Sequence, residues 1–287
     1  MPSVEAVQIS CGPLTFDADV AGPDDGELVV LLHGFPQDRS AWAPQLEALS
    51  AAGYRAVAFD QRGYSPGARP SGPFAYGMDK LVGDVVAVAD HFGAPAFHVV
   101  GHDWGGAVAW TLGARMPERL TTLTSVSTPH PAAFRDSLLR HGQALRSSYM
   151  VLFATPVVPE LVLLARGGAP LRDLLENSGL PAPVAERYVA RMAESGAFTA
   201  ALNWYRAAFL HPSAVSLPAV EVPTLYVWGK HDQALGRGAA ERTAGQVRGP
   251  YRFVELDAGH WLPETRSAML TDMILDQLRS HRGRKES

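Results

Sequence analysis

The sequence predicts an α/β protein with a mostly parallel central sheet, helices on both faces and an inserted helical segment. Three observations carry that expectation. Leu28-Val29-Val30-Leu31-Leu32 is apolar at every position, as in a strand buried on both faces. Strand-like and helix-like stretches then alternate as far as Val126 and resume at Thr224. Between them, residues 129–220 read as helices and loops without a convincing strand, a stretch too long for a plain connection. Residues 1–128 and 221–287 are therefore assigned to the core, and residues 129–220 to a helical lid inserted into it.

The elements follow in order. Alternating residues at 6–10 and 14–20 predict an antiparallel hairpin ahead of the apolar strand at 28–32. Helical periodicity over 41–52 closes at Gly53. A strand at 54–59, a helix at 78–92, a strand at 97–100, a helix at 106–116 and a strand at 120–126 complete the first part. After the insert come a strand at 224–228, a helix near 238–247, a strand at 252–256 and a final helix from Ser267.

Composition narrows the function classes. A chain of 287 residues, 47% hydrophobic, can bury one substantial core. Its net charge of −4 is close to neutral and suggests neither nucleic acid nor acidic partners. The lone cysteine, Cys11, rules out an internal disulfide and suits a reducing compartment. The first ten residues lack a basic start followed by an apolar stretch, and no apolar run reaches bilayer length. The expectation is a cytoplasmic protein without a membrane partner. The basic end at 279–285 reads as a frayed helix terminus.

Chemistry is concentrated after the strands, where open parallel sheets form their sites. Gly101-His102-Asp103-Trp104-Gly105-Gly106 joins a predicted strand to a predicted helix in the G-x-S-x-G layout, with aspartate at the nucleophile position. Such a carboxylate attacks carbon directly and leaves an alkyl ester, so the substrate should carry an electrophilic sp³ carbon. After the first buried strand, His33-Gly34-Phe35-Pro36 suits an oxyanion loop in which the Phe35 amide pairs with that of Trp104. Asp60-Gln61-Arg62-Gly63 reads as a charged turn bracing neighbouring loops rather than as a catalytic part.

The order Asp103, Asp232, His260 is nucleophile, acid, histidine. His260 would activate water against the Asp103 ester, and Asp232 would orient its ring. Asp257 is a rival acid, disfavoured by its nearness to His260. His102 is expected to pack or hydrogen-bond within the turn. His130, His141 and His211 show no metal-ligand spacing, and neither a phosphate loop nor a dinucleotide fingerprint is present, so no cofactor and no metal are expected.

With these motifs in place the chain resembles the α/β-hydrolase fold and, within it, the soluble epoxide hydrolases of the aspartate-nucleophile branch. The motifs that carry the resemblance are His33–Pro36, Asp60–Gly63, Gly101–Gly106 and Gly259-His260-Trp261, which extend over nearly the whole chain. In that family two lid tyrosines hold the epoxide oxygen and protonate it as the ring opens. The resemblance assigns the second to Tyr205, in Leu202-Asn203-Trp204-Tyr205-Arg206, and the first to Tyr149. A departing alkoxide does need an acid, and a phenol supplies one.

Dehalogenases share Asp103 and Trp104 but need halide donors. The fluoroacetate enzymes typically carry a His-Trp pair where Ser148-Tyr149-Met150 stands, and the haloalkane enzymes Asn or Glu where Phe35 stands. The sequence therefore favours an epoxide hydrolase acting on a hydrophobic epoxide and water, with His33, Pro36, Phe153 and Trp204 around the substrate. A dehalogenase and a non-catalytic binding protein on the same fold are the alternatives. Oligomeric state is not readable from the sequence.

Overall fold

The computed structural model describes residues 4–140, 148–210 and 217–282. His141 and His211, and the last part of the basic end, lie outside the described residues. An eight-stranded sheet runs through the molecule in the order β1-β2-β4-β3-β5-β6-β7-β8. Strands β1 (Glu5–Cys11) and β2 (Leu14–Ala21) form the antiparallel hairpin, and β2 also runs antiparallel to β4 (Arg55–Phe59). The remaining neighbours, β3 (Leu28–Leu32), β5 (Phe97–His102), β6 (Leu120–Val126), β7 (Thr224–Gly229) and β8 (Tyr251–Leu256), are parallel.

The uniform burial of β3 follows from the two-residue strand period. Leu28, Val30 and Leu32 face one apolar cluster while Val29 and Leu31 face the other. Helices α1 (Ala43–Ala51), α2 (Met78–His91) and α3 (Trp104–Arg115) follow β3, β4 and β5. Burying each such Val or Leu side chain contributes about 1.5–3 kcal/mol, so two-sided coverage explains why the run tolerates no polar residue.

Helix starts differ from the expectation in two instructive places. The turn before α1 is a 3₁₀ segment, Arg39–Trp42, because the buried Asp38 side chain accepts the Ser40 amide and sets a separate start. Helix α3 begins two residues early, since Asp103 itself stands at its N-cap.

Between β6 and β7 the described residues form six helices joined by loops, α4 (Pro131–Arg140), α5 (Ser148–Ala154), α6 (Val158–Leu163), α7 (Ala165–Asn177), α8 (Ala182–Met192) and α9 (Ala197–Leu210), and no strand beyond an isolated bridge from Val220 to Val247. Helix α8 packs back on the core through Arg191, which donates to the buried Asp60 carboxylate at 2.8 Å. Short helices α10 (Arg237–Arg242) and α11 (Leu262–Thr265) precede the final α12 (Ser267–Arg279). No helix among the described residues is long and apolar enough to cross a membrane.

Candidate active site

Every loop that contributes to the site leaves the carboxyl end of a strand, and the strand register brings those loops together. Leu32 pairs with Gly101, so the loop after β3 faces the turn after β5. Gly229 pairs with Leu256, so the loops bearing Asp232 and His260 lie side by side.

Asp103 has φ 50° and ψ −120°, a backbone state that costs a non-glycine residue of order 1–3 kcal/mol. The surrounding glycines make room for it. A Cβ on Gly101 would lie 2.2 Å from the Gly105 carbonyl oxygen, and one on Gly105 2.3 Å from that of Leu32. The Thr128 hydroxyl donates to the Asp103 carbonyl oxygen at 2.7 Å, anchoring the turn to the loop after β6.

The two carboxylate oxygens of Asp103 have different partners. Oδ1 accepts the Phe35 amide at 2.9 Å. Oδ2 lies 3.6 Å from Nε2 of His260, an ionic contact rather than a hydrogen bond. The Trp104 amide beside it belongs to the first helical turn, whose donors have no intrahelical acceptor. His260 Nδ1 lies 2.7 Å from Asp232 Oδ2 and donates to it, while Asp232 Oδ1 accepts the Ala234 and Leu235 amides at 2.8 and 2.9 Å. That second pair of bonds fixes the acid before it meets the ring.

Burial opposes charge at both ends of this array, and the charges outweigh it. At His260 burial works against protonation, yet Asp232 and Asp103 raise the imidazole to about 10. At Asp103 burial favours the neutral acid, but His260 holds the carboxyl below its ordinary range. His102 is driven down to about 3, by burial first and by His260 second.

A cavity of about 350 Å³ opens above Asp103, and Trp104, Tyr149, Trp204 and Tyr205 share its wall. The rest of that wall is mainly apolar, with Leu81 and Phe134 among its members. Tyr149 and Tyr205 stand together, their ring centroids 6.4 Å apart, on α5 and α9. Burial pushes both phenols upward; the charges of Asp103 and Asp232 add at Tyr149, and that of Asp103 at Tyr205.

Other residues singled out from the sequence sit elsewhere. Phe153 lies behind the wall, its ring 5.2 Å from Phe35 and 5.1 Å from Tyr205. Pro36 is buried outside the wall, and so is His33. The Gln61 amide donates to His33 Nε2 at 3.1 Å, which leaves Nδ1 to donate to the Gly34 carbonyl at 2.9 Å. His33 is thus a neutral strut under the loop. Trp204 reaches the cavity while its Nε1 donates to the Arg62 carbonyl at 2.8 Å.

The Asp60 turn braces its surroundings: Asp60 binds Arg39 and Arg191, and Arg62 binds Asp84. Asp257 is exposed and bound to Lys230 and His231, away from His260. Among the described residues no group of three or more His, Cys, Asp or Glu side chains could hold a metal.

Sequence reasoning missed the supporting layer. Ser127 donates to the His260 carbonyl at 2.7 Å, and the buried Gln37 and Tyr188 both meet the half-buried Glu264 behind the Phe35 loop. None of them carried a local signal, since each partner lies 76 or more residues away.

Comparison with known proteins agrees with the fold. The family described as "alpha/beta hydrolase fold" matches residues 27–267, and the chain belongs to it. An AB hydrolase superfamily protein of Bacillus subtilis is 35% identical over 98% of this chain and 100% of its own length. Epoxide hydrolase 3 of Xenopus tropicalis is 34% identical over 93% of this chain and 75% of its own, and Epoxide hydrolase A of Mycobacterium tuberculosis 31% over 90% and 92%. Within the α/β hydrolases the chain is therefore a member of the epoxide hydrolase family. Among solved structures, Epoxide Hydrolase A of Mycobacterium thermoresistibile superposes with a TM-score of 0.81 at 29% identity, covering 97% of this chain and 98% of that one. An inhibitor complex of the Bacillus megaterium epoxide hydrolase superposes with a TM-score of 0.85 at 25% identity, covering 95% and 100%.

Proposed function

We propose that this protein opens a hydrophobic epoxide to a vicinal diol through an ester on Asp103, with no cofactor, and that residues 129–220 act as the lid that supplies the acid. The observation that carries the reading is one cavity shared by a turn-mounted carboxylate, backed by His260 and Asp232, and two phenols on the insert. Asp103 Oδ2, the oxygen not tied to the Phe35 amide, attacks a ring carbon. The carbon–oxygen bond breaks, and the leaving alkoxide takes a proton from Tyr149 or Tyr205. Their raised pKa values keep both phenols protonated for that step.

Esterification also prepares the second step. It removes the Asp103 charge that helps hold His260 in its protonated form, so the ring releases a proton more readily, and that proton restores the tyrosine phenolate left by ring opening. His260 Nε2 then takes a proton from water, whose oxygen attacks Cγ of Asp103. Charge develops on Oδ1, facing the Phe35 amide with that of Trp104 nearby. Collapse expels the second diol oxygen, which takes the proton of the intermediate's hydroxyl, and restores the carboxylate; the net reaction adds water to the epoxide.

A single turnover in ¹⁸O-water tests this. The label should enter the Asp103 peptide and be absent from the first diol released. A label found directly in the diol would refute the ester. In a His260→Gln variant, Asp103 should gain the mass of the bound epoxide. Halide release from haloacetate, without diol from styrene oxide, would favour dehalogenation instead.

A further inference from the structure

The Phe35 amide must be held at Asp103 Oδ1, yet the residue before it is a glycine, the least restrained of residues. Asp103 itself forbids a side chain there, since a Cβ on Gly34 would lie 2.3 Å from its Cβ. Stiffness has to come from outside the loop. The Gln37 side chain, fully buried, supplies it: its Oε1 accepts the Gly34 amide at 2.7 Å. A backbone N–H only donates, so the carboxamide orientation is settled and Nε2 faces Glu264 Oε1 at 2.7 Å. The same Glu264 oxygen accepts the Tyr188 hydroxyl at 2.8 Å, from α8 of the insert. Oε2 of Glu264 is buried without a hydrogen-bond partner among the described residues.

An ion kept for its charge would have both oxygens satisfied. This carboxyl instead uses one oxygen as a shared acceptor. Burial, its largest influence, raises its pKa against the opposing effects of Gln37, Tyr188, its own backbone amide and His260. Gln37 Oε1 also meets His102 Nδ1 at 2.7 Å, and His102 Nε2 lies 3.0 Å from the His260 carbonyl oxygen. The neutral His102 ring has one N–H to donate, so it hydrogen-bonds either Gln37 Oε1 or the His260 carbonyl and only packs against the other; the carboxamide holds the oxyanion loop directly.

We propose that Glu264 is a positioning residue for ester hydrolysis: by accepting from Gln37 and Tyr188 it locks the Gln37 carboxamide, and through Gly34 the Phe35 N–H, at the oxyanion position. This rests on the two-step reading above. The two steps should feel the lock unequally. During alkylation the Phe35 amide faces a carboxylate that becomes an ester carbonyl. During hydrolysis it faces a full oxyanion, where fixed donors contribute most.

Rapid-quench mass spectrometry of the Asp103 peptide with excess styrene oxide separates the two rates. Glu264→Ala should slow ester hydrolysis roughly 30-fold or more and alkylation less than about threefold, so that the adduct accumulates. Glu264→Gln keeps the shared acceptor and should restore hydrolysis to within about threefold of the parent. Tyr188→Phe, which removes a single hydroxyl, should slow hydrolysis several-fold in the same direction and serves if the alanine variant fails to fold. Equal slowing of both steps, unchanged hydrolysis in Tyr188→Phe, or a Glu264→Gln variant as slow as Glu264→Ala would overturn the inference. An adduct missing even from His260→Gln would overturn the ester reading and this inference with it, whereas an adduct with no selective effect at Glu264 overturns the inference alone.

Discussion

Replacing Gly34 by alanine tests the geometry of the site most directly, because the replacement changes no ionisable group. The new methyl carbon would stand 2.3 Å from Asp103 Cβ, 2.6 Å from its Oδ1 and 2.9 Å from its Cγ, against the 3.4 Å at which ordinary contact begins. Something must yield by about 1 Å. Asp103 is poorly able to yield, since its strained backbone is pinned by Thr128 and by glycines that already touch neighbouring carbonyls. The loop yields instead and takes the Phe35 amide with it. A misplacement of about 1 Å in a catalytic array costs on the order of 100-fold in rate. The overpacking itself costs about 1–3 kcal/mol. For a chain of this size that lowers Tm by roughly 3–10 °C. Steady-state kinetics on styrene oxide and a thermal melt of Gly34→Ala read both effects. Activity within about threefold of the parent and an unshifted Tm would refute the placement of Gly34 against Asp103.

Further expectations concern the acid, the base and the brace. Tyr205→Phe and Tyr149→Phe should each lower kcat/KM roughly 100-fold, and the double variant further, while binding of a diol product changes little; a double variant near parental activity would remove the phenols from the chemistry. The plot of kcat against pH should rise on its acid side as His260 in the ester loses its proton. That limb should lie below the value of about 10 that His260 has while Asp103 is charged. Asp232 raises the imidazole, so Asp232→Asn should move the limb to lower pH while reducing the maximum rate; movement to higher pH would contradict the assigned pairing. Arg191→Met removes one of two arginines from a fully buried Asp60 carboxylate. It should cost about 3 kcal/mol, the lower end for a stripped buried ion pair because Arg39 remains, and the melting temperature should fall accordingly.

The parts of this site that sequence alone exposed are those built from consecutive residues. A strand, a turn with glycines on either side and a helix are local, so Asp103 could be read from one hexapeptide. The pairing of Asp232 with His260 was legible from chain order, because each follows a strand of a sheet whose alternation was itself legible. The Asp60 turn is a similar case: its charges and position indicated bracing, although its partner Arg191, 131 residues away, did not show. Boundaries shifted where a side chain rather than periodicity set the start, as at Asp38 before α1.

Distance in sequence decided what was hidden. Gln37 and Glu264 are 227 residues apart, and Tyr188 reaches Glu264 from 76 away; nothing in any of their local patterns marks them as partners. The aromatic residues show the same division. Trp204 and Phe153 were equally plausible as substrate contacts, yet one lines the cavity and the other packs behind it against Phe35 and Tyr205.

The sequence by itself determined the class of sheet, the carboxylate at the turn and the order of the residues behind it, because each depends on neighbours along the chain. Tertiary structure alone decided that Asp103 turns Oδ1 to the Phe35 amide and Oδ2 toward His260, that Tyr149 and Tyr205 share its cavity, and that Glu264 meets Gln37 behind the Phe35 loop. Those outcomes depend on hydrogen bonds and packing between elements far apart in sequence, which form only when the sheet register and the insert bring them together.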